Sequence, residues 1–154
     1  MNHYTQLLTF IKSLGEEDPF VNTITRDGEI DLDINKMNVF PLLDIYIPSG
    51  SFSNGRTLNF DVELYCVDIR DINKDIVNDK FWKNDNEVDN HNETLATLNR
   101  IWTAMYRNFE RNDITASENP TLEKVTYSNK NLLDGWKLSF EVEMPNTTLN
   151  LCDE

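Results

Sequence analysis

Histidine, cysteine, glycine and basic residues are all scarce in this chain, and each scarcity closes a class of chemistry. There are two histidines, His3 and His91, and two cysteines, Cys66 and Cys152. Two cysteines are too few for a disulfide framework, and they have no metal-ligand spacing. The five glycines form no phosphate-binding loop, and no Gly-x-Ser-x-Gly or Cys-x-x-Cys motif occurs. Fourteen Lys and Arg stand against 27 Asp and Glu, a net charge of -13. Phosphate contacts need clustered Lys and Arg, so on charge alone the chain is a poor nucleic-acid binder. Its sign suits repulsion of DNA, or contact with a basic partner. No apolar run approaches the roughly 18 residues of a membrane span. The opening Met1-Asn2-His3-Tyr4 has no basic segment followed by an apolar one, so no secretory signal is expected. The sequons at Asn92 and Asn146 carry little weight without one.

What is present is patterning. Leu58, Phe60, Val62, Leu64 and Cys66 alternate with Asn59, Asp61, Glu63 and Tyr65. Trp136, Leu138, Phe140, Val142 and Met144 alternate in the same way with Lys137, Ser139, Glu141 and Glu143. Period-two patterning of this length predicts half-buried strands with one wet face, and both wet faces are mostly acidic. Cys66 falls on the apolar side and reads as a small buried hydrophobe.

Tyr4, Leu7, Leu8, Ile11 and Leu14 recur at helical spacing, with Gly15 as a stop. Phe20 to Thr25 reads as a short strand, and Glu29 to Met37 is ambiguous between strand and loop. Pro41 to Ile47 reads as a strand bracketed by Pro41 and Pro48. Ser49-Gly50-Ser51 and Ser53-Asn54-Gly55 flank Phe52 in a long hairpin connection. Val88, His91, Leu95, Leu98, Trp102, Met105 and Phe109 form the apolar stripe of a long second helix, for which Asn84 and Asp85 are candidate N-caps. Residues 111–120 read as a loop. Thr121–Ser128 and Trp136–Met144 make a final strand pair, with the turn at Asn129–Gly135, and residues 147–154 read as a flexible tail. The expectation is a single α+β domain spanning 1–154: an antiparallel sheet with two helices packed on one face and a long protruding β-hairpin.

Candidate chemistry is thin. Asp85 to Glu93 has oxygen side chains at the first, third and fifth places of a calcium loop. Asn90 stands where that loop needs Gly and Ala96 where it needs Glu, so it reads as a polar helix start. His91 reads as a partly exposed residue in the first turns of the helix, and His3 lies near the terminus. The pairs Asp61/Glu63 and Glu141/Glu143 lie on open strand faces, where carboxylates stay solvated and ionised, so no catalytic residue is expected. Arg100, Arg107 and Arg111, seven and four residues apart, share the helix face opposite Leu98/Trp102/Met105. That face either is simply solvated or pairs with an acidic strand face on another copy.

Phe20-Val21-Asn22-Thr23 after a first helix, Val39 to Ile45, a Ser/Gly-rich hairpin, Thr57 to Leu64 with Val67-Asp68, Asn92 to Trp102 and Gly135 to Asn146 follow one another in an order that is shared. Through them most of the chain resembles the tail-terminator and head–tail connector (neck ring) proteins of tailed bacteriophages, most similar to those of crAss-like and other Bacteroides-type phages. The resemblance implies a virion protein without enzymatic activity or cofactor. It is made in the host bacterial cytoplasm and closes into a homo-oligomeric ring between portal and tail. Its partners would be further copies of itself together with portal, adaptor and tail proteins, with genomic DNA passing unbound and no membrane involved. The hairpin from Ile47 to Thr57 would reach a neighbouring subunit. Inter-subunit contacts would fall on Ser49, Gly50, Phe52, Asn54 and the Arg100/Arg107/Arg111 stripe. Asp61, Glu63, Glu141 and Glu143 would form an acidic channel or contact face. The alternative is a monomeric acidic binding module, an inhibitor or DNA mimic acting on a basic partner.

Overall fold

Among the described residues the chain forms two helices and six strands. The computed structural model describes residues 3–28, 39–71, 75, 77–111, 114–117, 119–128 and 132–146. The ambiguous stretch from Glu29 to Met37 and the expected tail at 147–154 lie outside them. In chain order the elements are α1 (His3–Glu17), β1 (Thr23–Arg26), β2 (Leu42–Ser53), β3 (Thr57–Ile69), α2 (Glu87–Arg111), β4 (Thr115–Ala116), β5 (Thr121–Ser128) and β6 (Leu132–Pro145). The sheet runs β1-β2-β3-β6, with β4 and β5 both paired to β6.

The fold is α+β with both helices on one face, as the patterns indicate. Two strand pairs depart from expectation: the stretch 111–120, read as a loop, carries β4 paired to β6, and β1 and β2 run parallel, so the sheet is mixed. Parallel neighbours need a connection of a dozen or more residues, and the stretch from Asp27 to Pro41 supplies that length. Pro48 does not end β2 either. The register shifts between Tyr46 and Ser49, and pairing then resumes as far as Ser53↔Thr57. β1 reaches only as far as Ile45 along β2. Pro48 therefore sits at a bulge on an edge, where a missing N–H breaks no ladder. The β2–β3 turn is confined to Asn54–Arg56, with positive φ at Asn54 and Gly55.

The main core joins Leu7 and Ile11 of α1 and Leu98, Ile101, Met105 and Phe109 of α2 to the apolar stripes of β3 and β6. Burial of each such side chain contributes about 1.5–3 kcal/mol. Gly15 does not stop α1. It faces the sheet inside the helix, where a Cβ would come within 2.9 Å of the Ile24 and Leu43 side chains. Its lack of a side chain lets helix and sheet approach.

The buried face of α2 is rotated from the expected stripe. Asn90, Thr94 and Thr97 are buried, whereas Val88 is exposed. The Thr94 hydroxyl donates to the Asn90 carbonyl at 2.6 Å and that of Thr97 to the Glu93 carbonyl at 2.9 Å, which satisfies both internally. Neither expected cap, Asn84 nor Asp85, starts the helix alone. Asp85 accepts from the Glu87 N–H, while Asn86 and Asn90 both donate to the Ile69 carbonyl and pin α2 to the end of β3.

Candidate functional site

The sheet has one face without helices, and the acidic residues gather there. Asp61 and Glu141 are direct cross-strand partners, Glu63 lies opposite Ser139, and Glu143 lies opposite Asn59. Strand alternation puts all four carboxylates on the side away from α1 and α2. Asp61, Glu141 and Glu143 are exposed and Glu63 is half-buried. The Ser49 hydroxyl donates to Asp61 at 2.6 Å, and the Tyr65 hydroxyl to Glu63 at 3.1 Å. Burial, together with that carboxylate, pushes the Tyr65 phenol well above its ordinary range. Lys137 shares this face but is held by Glu123 at 2.7 Å, which raises its pKa.

The face is not wet throughout, contrary to the pattern reading. At its other end Phe40, Leu42, Val67 and Leu133 form a second buried cluster with Tyr65, Val125 and Tyr127 around it. Phe40, from the segment ahead of β2, belongs to this cluster, which leaves the acidic half as the open part.

Ser49, Gly50 and Phe52 are on the exposed half of β2, Phe52 being 67% exposed, and Asn54 begins the turn. Strand β6 accompanies β3 to the tip, at Thr57↔Pro145. The arginine stripe fares differently. Arg100 is bound within its own chain: its guanidinium donates to both oxygens of Asp18, at 2.8 and 3.1 Å, and to the Thr97 hydroxyl. This clamp ties α2 to the end of α1. Burial raises the pKa of Asp18, but hydrogen bonds from Arg100 and the Phe20 N–H outweigh it and leave it lowered. Arg107 is exposed, and Arg111 closes α2 with a side chain outside the described residues.

His91 is buried rather than frayed, at 7% exposure, because Trp136 stacks edge-on against it at 6.2 Å. Its Nδ1 bonds the Glu87 carbonyl at 2.9 Å, and the Trp136 indole donates to the His91 carbonyl at 2.8 Å. Ligand atoms of Glu87, His91 and Asp134 lie within 4.8 Å of one another. Nothing in the sequence placed Glu87, His91 and Asp134 beside one another. Both carboxylates there already have cationic partners, Arg70 for each of them and Lys83 for Glu87. Arg70 donates to both oxygens of the fully buried Asp134 and lies 3.5 Å from Glu87. Thr126 donates to the same carboxylate at 3.2 Å. This is a structural ion pair, with three hydrogen bonds already on Asp134.

Asp68 lies directly opposite Asp134 in the ladder. Burial, then the nearby Glu93, Asp71 and Asp134 charges, raise its pKa, against the one N–H it accepts from Ile69. A raised carboxyl pKa disfavours the folded state above the unfolded value, near 4. Asp68→Asn keeps that acceptor and removes the charge. It is expected to raise the melting temperature at pH 7, with the gain shrinking toward pH 3. An unchanged melting temperature at pH 7 would mean that the charge is fully solvated.

No protein-family model matches this chain, and no curated protein matches its sequence.

Proposed function

We propose that this chain is a structural virion subunit that closes into a ring in the neck of a tailed bacteriophage, joining portal and head to tail and letting DNA pass. The acidic half of the helix-free face carries the reading. Like charges placed directly opposite on paired strands, as Asp61 and Glu141 are, weaken a sheet. Folding therefore does not account for them. A surface past which a polyanion slides without adhering does, since like charge keeps the strand from binding. The exposed Ser49–Asn54 half of the hairpin and Arg107 supply contacts of a different kind, as a closed ring of heterologous interfaces requires. No helix of the described residues is long and apolar enough to cross a membrane.

The test is made in particles of the phage whose genome carries this coding sequence. Labelled chain is expected at the neck of purified virions. Particles with Asp61, Glu63, Glu141 and Glu143 all changed to Lys are expected to assemble but to eject DNA several-fold more slowly. An unchanged ejection rate removes this face from the bore. Absence from particles, with recovery in a one-to-one complex with a basic protein, replaces the ring by the acidic binding module.

A further inference from the structure

The sheet has an open edge beside an apolar cleft. β5 is eight residues long and pairs with β6 on one side only. Among the described residues no other strand pairs with it. Six of its residues, Thr121–Lys124, Thr126 and Ser128, are exposed. A strand of this length leaves a row of unpaired N–H and C=O groups on its outer side. It carries no Pro and no bulge to blunt that edge.

On the helix side of the same edge lies a cleft of about 430 Å³ between α2 and β5. Its walls include Leu95, Ala96, Trp102, Pro120, Leu122 and Leu138. Leu122, 49% exposed, faces Leu138 across the ladder and lines the cleft. On the opposite side of β5, Glu123 projects with its side chain 66% exposed, bonded on one flank to Lys137. Lys124 follows Leu122 on the helix side and bounds the apolar stretch.

We propose that β5 is a docking edge for an extended segment of another protein, in which small apolar side chains alternate with basic ones. Added as a seventh strand, such a segment satisfies the open backbone groups. The residues paired near Leu122 enter the cleft, and the alternate ones meet Glu123 and the acidic face beyond it. Charge complementarity decides the second set: the chain carries -13 overall, and Asp61, Glu63 and Glu141 lie on that same face. The inference goes beyond the neck-ring reading and stands or falls without it.

The probe is a fluorescent eight-residue peptide with Lys and Val alternating, titrated by anisotropy at physiological salt. Four results are expected. A peptide of the same composition with its Lys and Val grouped in two blocks binds about tenfold more weakly, although it carries the same charge. Methylating alternate backbone nitrogens in one phase abolishes binding, and methylating the other phase leaves it, because only one edge of an added strand faces β5. Leu122→Ser and Glu123→Lys, with circular dichroism unchanged, each weaken binding about fivefold, the scale of half-burying one leucine or losing one charged pair. Equal binding of the two peptides, or of the two methylated phases, overturns the proposal in favour of bulk charge attraction. Self-association of the chain that Leu122→Ser abolishes makes a second copy the occupant and overturns the partner assigned.

Discussion

Gly135→Ala is expected to leave no stable fold at 25 °C, a loss of more than about 4 kcal/mol, in the exceptional class for one methyl group. Gly135 pairs with Val67 near one end of the β3–β6 ladder and with Val125 of β5 on its other side. A Cβ there would lie 1.8 Å from the Cys66 carbonyl oxygen and 2.8 Å from the Val67 Cα. Both are backbone atoms of the central strand, with no rotamer to change. Relief requires separating β3 from β6, whose pairing runs from Thr57↔Pro145 to Ile69↔Leu133. Urea unfolding followed by tryptophan fluorescence measures the loss. Gly55→Ala is the comparison. Its site is open, with nothing within 4 Å, and only its positive φ of 64° is strained, so it should lose about 1 kcal/mol. Equal losses at the two positions would show that strand separation at Gly135 is easy.

Arg70→Met is expected to destabilise the fold by about 3–5 kcal/mol, because it leaves a buried carboxylate without its counter-charge. Asp134 is fully buried, and the side chain of Arg70 is only 17% exposed. Among the described residues, the only other hydrogen bond to that carboxylate comes from the Thr126 hydroxyl, which cannot neutralise it. The Asp134 carboxyl raises the Arg70 pKa further, so the guanidinium stays charged at every working pH. The double variant Arg70→Met/Asp134→Leu separates the missing charge from lost packing. Removing both partners of a buried pair is often close to neutral, so the double variant should recover most of the stability. A double variant as unstable as Arg70→Met would instead assign the loss to the geometry that Arg70 imposes between β3, β6 and α2.

Much of the architecture is legible in the chain because burial imposes its period on the residues. Both long strands and both helices lie where alternation or helical spacing puts them. The misses share a cause: each is a residue whose role depends on a neighbour distant in sequence. Gly135 and Gly15 read as turn and stop, but each marks a close approach whose other side is Val67 or Leu43. Arg100 reads as part of a surface stripe, while Asp18 reaches it from another element. His91 stayed on the apolar stripe in both readings, but Trp136 is what buries it.

The amino-acid order alone determined which residues of β3 and β6 face inward, and hence that Asp61, Glu63, Glu141 and Glu143 face outward. A strand's side chains alternate whatever it pairs with. Only the tertiary structure decided that these four carboxylates share one patch, that Arg70 and Arg100 are paired with Asp134 and Asp18 of their own chain, and that β1 runs parallel to β2. Register and ion pairing join residues scores of positions apart, and no local period records which of them meet.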